Sequence, residues 1–337
     1  MYRMSTAPAR NSVSINGMLL SYDIRDGKSK KNGNQYRMAN AVFRVNQFYS
    51  GKEELSEVPV KSLAMKFKKD GTDNKFYATL GDYAVNLKSA ARYGTDEADK
   101  LTITGRNGNG ALSENMFASE RNPETVYSTF NIDFKFLNEA RYNSDGNTGE
   151  CATFDVEIFI LDIARELNAA GEETGRLKIR GGIVQWGEKI DCFDFFVENP
   201  TAIEYIERNY NINDTASFVG RIRYTSETVV YKSENTWGET IPTTSTRKKH
   251  ELIITGPSAG HEDGPNAEED SYDPEDIRTM IADRNARKED AKRRCSGRRR
   301  PQNRWSRPSP GSPGSPERSG WIPPPAAHST GAWEPGP

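Results

Sequence analysis

At 337 residues, with a formal net charge of −2 and only 34% hydrophobic side chains, the chain is long enough for two domains but too polar to be packed throughout. Its 3 cysteines, Cys151, Cys192 and Cys295, are too scattered for a disulfide framework or a zinc knuckle. No apolar run is long enough to span a bilayer as a helix and no secretory leader is visible, so the expectation is a cytoplasmic protein with no membrane partner.

Taken in chain order, the first element runs from Val13 to Arg25 and changes apolar parity at Gly17, as a strand bent at a glycine would. A lysine-bearing loop, 27–33, leads to a second strand over 36–45. Residues 51–95 lack a clear period, with a helix somewhere within 77–91. A strand at 101–105 opens into two successive Asn-Gly steps, a tight-turn signal, and 125–137 alternates through Tyr127, Phe130, Ile132, Phe134 and Phe136. The turn-rich stretch 143–149 marks the domain boundary.

Beyond it the order is plainer: strands over 153–163, 176–186 and 189–197, a helix over 201–209 introduced by Pro200, a strand over 215–224, a polar loop over 232–246, and a last strand over 248–255. Three strands, a helix and two strands within about a hundred residues is the order of a five-stranded Greek-key barrel, the OB-fold. The expected fold is mainly β: an OB-like barrel over 150–256, a β-rich module over 11–142 that makes a second, divergent barrel in tandem, and a disordered tail over 257–337.

The run from Phe195 to Arg223, FFVENPTAIEYIERNYNINDTASFVGRIR, resembles the single-stranded DNA-binding protein family, and its phage-encoded members more than the bacterial housekeeping ones. Hydrophobic strand, short helix, polar turn and a strand with Val219-Gly220-Arg221-Ile222 carry the likeness. The valine adjoins the glycine here, a departure from the family's usual spacing. The resemblance covers about 152–256 and implies single-stranded DNA binding without sequence preference, in replication or recombination.

Residue chemistry points the same way. No phosphate loop is present and the 3 histidines are scattered; Asp155/Glu157 and Asp191/Asp194 are the acidic pairs to weigh as a metal-dependent nuclease centre, but Asp155 and Glu157 alternate with core residues and read as the solvent face of a strand, so no catalytic, metal or cofactor site is expected. In 176–186, Leu177, Ile179 and Ile183 share the inward parity, leaving Arg176, Lys178, Arg180 and Trp186 outward. Arg221 and Arg223 are outward on the later strand, and Tyr231 and Trp237 sit in the polar loop. Cations that neutralise phosphates beside rings that stack bases are what a sequence-tolerant single-strand groove needs. Lys30, Lys31, Arg37 and Arg44 of the first module would extend that groove.

Charge is also unevenly placed near the end. Residues 262–290 carry 11 acidic and 4 basic side chains, and 292–318 carry 9 basic and 1 acidic. A short helix near 274–288 lies in the acidic block. In the resembled family acidic tails recruit replication and repair proteins, so such proteins are expected partners, and a homo-oligomer is compatible with the sequence. The basic, proline-rich end reads as an appended or out-of-frame sequence. A rival reading is a structural or protein-interaction module, such as a virion or tail component, built on similar barrels.

Overall fold

The computed structural model describes residues 2–3, 7–30, 33–49, 51–105, 108–119, 122–140, 149–168, 170–234 and 240–296. The boundary stretch 143–148, Lys31 and Trp237 lie outside them, as do the residues from 297 on; Tyr231 is described through its backbone alone.

The second barrel is built from β8 (Cys151–Leu167), β9 (Glu173–Gln185), β10 (Lys189–Val197), α3 (Pro200–Asn209), β11 (Thr215–Glu234) and β12 (Thr240–Pro257). Alternation along β8 buries Ala152, Phe154, Val156, Ile158 and Ile160, and β9 answers with Leu177, Ile179 and Ile183. The three antiparallel strands β8, β9 and β10 continue into β12, which runs parallel to β10 at Phe195–Val197. β11 pairs antiparallel with both β12 and β8 and so closes the ring. Asn199 starts α3 by accepting from Thr201 N (2.9 Å) and Ala202 N (3.4 Å), with Pro200 at the first helical position. The helix then buries Ile203 and Ile206 against the barrel. Gly220, within the resembling run, sits at a bulge where a Cβ would lie 2.2 Å from Ile253 O and 2.2 Å from the Phe154 ring. The expected polar loop at 232–246 is instead extended backbone on both sides of 235–239.

The first module repeats this plan. β1 (Asn11–Lys28), β2 (Gln35–Tyr49) and β3 (Lys52–Met65) form an antiparallel meander. After α1 (Lys75–Asn86), α2 (Ala90–Tyr93) and the short β4 (Lys100–Ile103) come β5 (Gly110–Ser119) and β6 (Asn122–Phe134), with β6 parallel to β3. β7 (Asn138–Glu139) adds a small edge on β4. β1 meets β5 through a side chain: Asn11 donates to Leu112 O and accepts from Leu112 N, both at 2.8 Å, imitating a ladder rung. The tandem of OB-like barrels is therefore present, the first less regularly closed. The irregularity in β1 falls between Leu19 and Ser21, just after the expected Gly17.

Both barrels belong to one compact unit. Asn11–Asn16 of β1 pair with Cys151–Val156 of β8, so one sheet runs through both. The β2–β3 hairpin packs onto β11, where Gln47 Nε2 donates to Ile222 O (3.1 Å) and Tyr224 N donates to Ser56 Oγ (3.3 Å).

The expected disordered tail does not begin at 257. Tyr272 is buried, its N donating to Thr215 Oγ1 (3.1 Å) and its hydroxyl to Ala7 O (2.9 Å). The helix near 274–288 is α4 (Pro274–Ser296), longer than expected, and it packs on β5, β6 and β10 of both barrels. Its apolar stripe is narrow, but Ile277 and Met280 are fully covered and Arg284 reaches buried Glu114 (Nε–Oε2 2.7 Å). Glu157 is likewise buried rather than on a solvent face, held by Arg3 (2.8 Å).

Candidate nucleic-acid interface

The parity of β9 is as expected, but outward does not mean solvent-facing along its whole length. Arg176 lies over the Phe196 ring (4.5 Å) and pairs with Glu166 (Nε–Oε2 2.7 Å), Glu198 (3.3 Å) and Glu251 (2.9 Å). Arg221 pairs with Glu54 of β3 and with Glu198 (3.0 Å), and stacks on Tyr49 (3.9 Å). Arg223 reaches Glu54 (3.5 Å), Glu198 (2.7 Å) and Glu251 (Nε–Oε2 2.9 Å). Three of the expected phosphate contacts are thus mostly buried and already neutralised, Arg176 by carboxylates of its own barrel and Arg221 and Arg223 also by Glu54 of the β2–β3 hairpin that packs on β11. Burial would favour neutral Glu251, yet hydrogen bonds from Arg176, Arg223 and Lys249 pull its carboxyl down to about 2. Arg221 and Arg223 fasten the two barrels together through Glu54 and Tyr49, while Arg176 ties strands of the second barrel to one another.

Lys178 and Arg180 stay accessible and share one carboxylate, Asp194, at 3.3 and 2.7 Å. Arg180 and Asp194 line a cleft of about 180 Å³ between β10 of the second barrel and β6 of the first, walled by Phe130, Phe196 and His250. Further along β9, Cys192 and Asp191 of the neighbouring β10 are covered by Glu114 of β5, so the open part of this face is short. Trp186 lies past the end of β9, in a turn where Gly187 and Glu188 take φ of 77° and 55°. It is 78% exposed, but it lies six positions on from Arg180, roughly 20 Å along the strand. The expected adjacency of the indole to Lys178 and Arg180 is therefore absent.

The larger open face belongs to the first barrel, on the two strands that correspond to those of an OB-fold that carry oligonucleotides. Ala39, Ala41, Phe43 and Val45 of β2 point inward, as do Val58, Val60 and Ala64 of β3. The opposite parity brings Met38 beside Leu63, Val42 beside Pro59, Arg44 beside Glu57 and Asn46 beside Leu55. Phe48 is 75% exposed and Leu55 and Leu63 are each 55% exposed, an apolar series spread along one sheet face. Arg44 and Lys61 interleave it, each with a carboxylate no closer than 3.9 Å. At the side of this face Phe117 of β5 and Tyr127 of β6 stack across the strands, centroids 5.7 Å apart. Of the first-module residues named from sequence, Arg44 belongs here and Lys30 is exposed on the β1–β2 loop. Arg37 does not: it is bidentate to Asp26 (2.8 and 2.9 Å) and lies over Tyr77, tying α1 to the barrel.

The family model for YorF matches residues 9–294. The chain belongs to the YorF family. The match takes in both barrels and nearly all of α4. No curated protein matches this YorF-family chain in sequence. Among solved structures it is similar to a deletion mutant of the single-stranded DNA-binding protein from Thermus aquaticus, at TM-score 0.43 and 11% identity, over 80% of this chain and 98% of that one. It is also similar to a replication protein A heterotrimer bound to single-stranded DNA, at TM-score 0.22 and 12% identity, over 78% of this chain and 53% of that one.

Sequence reasoning missed Phe48, Leu55, Leu63, Phe117 and Tyr127 of the YorF-family chain as surface residues. A signal existed for β3: Ser56, Val58, Val60, Ser62 and Ala64 form an alternating set of small side chains, which fits an inward face and turns Leu55 and Leu63 outward.

Proposed function

We propose that the protein binds single-stranded DNA, laying the strand over the open β2–β3 face and into the cleft between the barrels. The observation that carries this reading is the β2–β3 face itself: exposed apolar and aromatic side chains interleaved with Arg44 and Lys61, on OB strands suited to an unstacked strand. Bases lie on the apolar side chains while Arg44 and Lys61 exchange distant carboxylates for phosphates, a cheap exchange for half-exposed pairs, and Lys178 and Arg180 keep Asp194 and add positive charge at the cleft. Trp186 offers a further stacking surface beyond the end of β9. A role in replication or recombination is the natural use of such binding.

Anisotropy titration of a labelled thymidine oligonucleotide and of a duplex, each at several salt concentrations, tests the proposal. The single strand is bound more tightly than the duplex, with log affinity falling linearly in log salt. The Arg44→Ala/Lys61→Ala variant loses about 1.4 from that slope, at about 0.7 per phosphate contact. Equal affinity for duplex, or no binding at all, contradicts the proposal and favours a protein-interaction face.

A further inference from the structure

The cleft between β6 and β10 combines three features seldom found together on an open sheet face. It is small, about 180 Å³, and lined by the rings of Phe130 from one barrel and Phe196 and His250 from the other. It also presents one carboxylate beside one guanidinium, Asp194 and Arg180, paired at 2.7 Å. Ring-lined walls of this size suit one planar heterocycle, entering edge first, and exclude a longer apolar side chain's need for depth. Burial, together with the charge of Lys248, lowers the His250 pKa below its ordinary value, leaving a neutral ring as a wall at physiological pH.

We infer that this cleft reads a single guanine of the bound strand, an inference that rests on the single-stranded DNA-binding function proposed above. Asp194 has two oxygens and about four lone-pair sites, so its bonds to Arg180 and Lys178 leave acceptor capacity. Guanine is the one DNA base whose pairing edge offers two adjacent N–H donors, at N1 and the exocyclic amine, to a single carboxylate. Its O6 then lies next to those donors, where Arg180 donates to it. Adenine and cytosine bring one donor beside a ring acceptor that opposes a carboxylate oxygen. Thymine brings one donor flanked by two carbonyls. The protein is thus a single-strand binder with one base-reading position, set where the two barrels meet.

The test uses the full-length protein and thymidine oligonucleotides that carry one central guanine, inosine or adenine, so that no quadruplex forms. The guanine oligonucleotide binds about five- to 150-fold more tightly than all-thymidine. Inosine, which lacks the exocyclic amine, loses most of that gain, and adenine shows none. In Asp194→Asn the guanine-to-thymidine ratio falls to near one, whatever the variant's absolute affinity. The guanine–inosine comparison needs no variant and so stands even if Asp194→Asn folds poorly. Tight binding of all four oligonucleotides with equal affinity overturns the guanine site and leaves the general function standing. Failure to bind any of them overturns the general function instead.

Discussion

Arg284→Ala lowers the stability of the fold by about 3–5 kcal/mol, the cost of leaving a buried charge without its partner. The Glu114 side chain is 1% exposed and that of Arg284 5%. Burial alone would raise the Glu114 pKa, but hydrogen bonds from Arg284 and Ser128 reverse this and keep it ionised. The pair matters beyond its own energy because it joins α4 to β5, while Ile277 and Met280 of the same helix are buried against the barrels. Urea denaturation of the variant measures the loss through the shift in midpoint at unchanged slope. A double variant, Glu114→Leu/Arg284→Leu, recovers most of it, since apolar replacement of both partners removes the unpaired charge. A loss below about 1 kcal/mol for the single variant would mean that α4 is not docked as described.

Glu251→Ala costs about 2–3 kcal/mol, less than a fully isolated buried pair because Arg176 and Arg223 retain Glu166, Glu198 and Glu54. Its pH signature is more telling than its size. The folded-state carboxyl of Glu251 lies at about 2, below its ordinary value of 4.5. Its stabilisation is therefore fully present above about 4.5 and drains away as the pH falls toward about 2, where the folded state must also take up the proton. Glu198 and Glu166 are lowered by the same arginines and add to the same acid limb. Thermal melts from pH 2 to 6 show a steep acid limb in the unsubstituted protein and a shallower one in Glu251→Gln. Parallel curves would remove Glu251 from the arginine–carboxylate network of the second barrel.

The second barrel was readable from sequence because its strands alternate cleanly and Pro200 announces the helix between the third and fourth strands. The first barrel was only half readable. In β3 the inward residues are small and two leucines face out, which inverts the usual contrast. In β5 the inward Leu112 is followed by Glu114, a buried acid that no local pattern explains without Arg284 far along the chain. The same limit applied to the site. Alternation gave the outward parity of Arg176, Arg221 and Arg223 correctly, but parity does not say what lies on the outside of a barrel. Here Arg221 and Arg223 meet the neighbouring barrel's hairpin, bringing Glu54, and Arg176 meets Glu166, Glu198 and Glu251 of its own barrel. The apolar stripe of α4 is too narrow for an isolated helix, and β5, β6 and β10 supply the partner surface that the helix itself lacks.

Lysine footprinting by mass spectrometry, with and without a saturating thymidine oligonucleotide, tests most directly where a bound strand lies. Lys61 on the β2–β3 face and Lys178 beside the cleft lose reactivity when the oligonucleotide is bound, while exposed Lys75, at the start of α1, keeps it. Full binding with Lys61 and Lys178 as reactive as in the free protein would contradict the account.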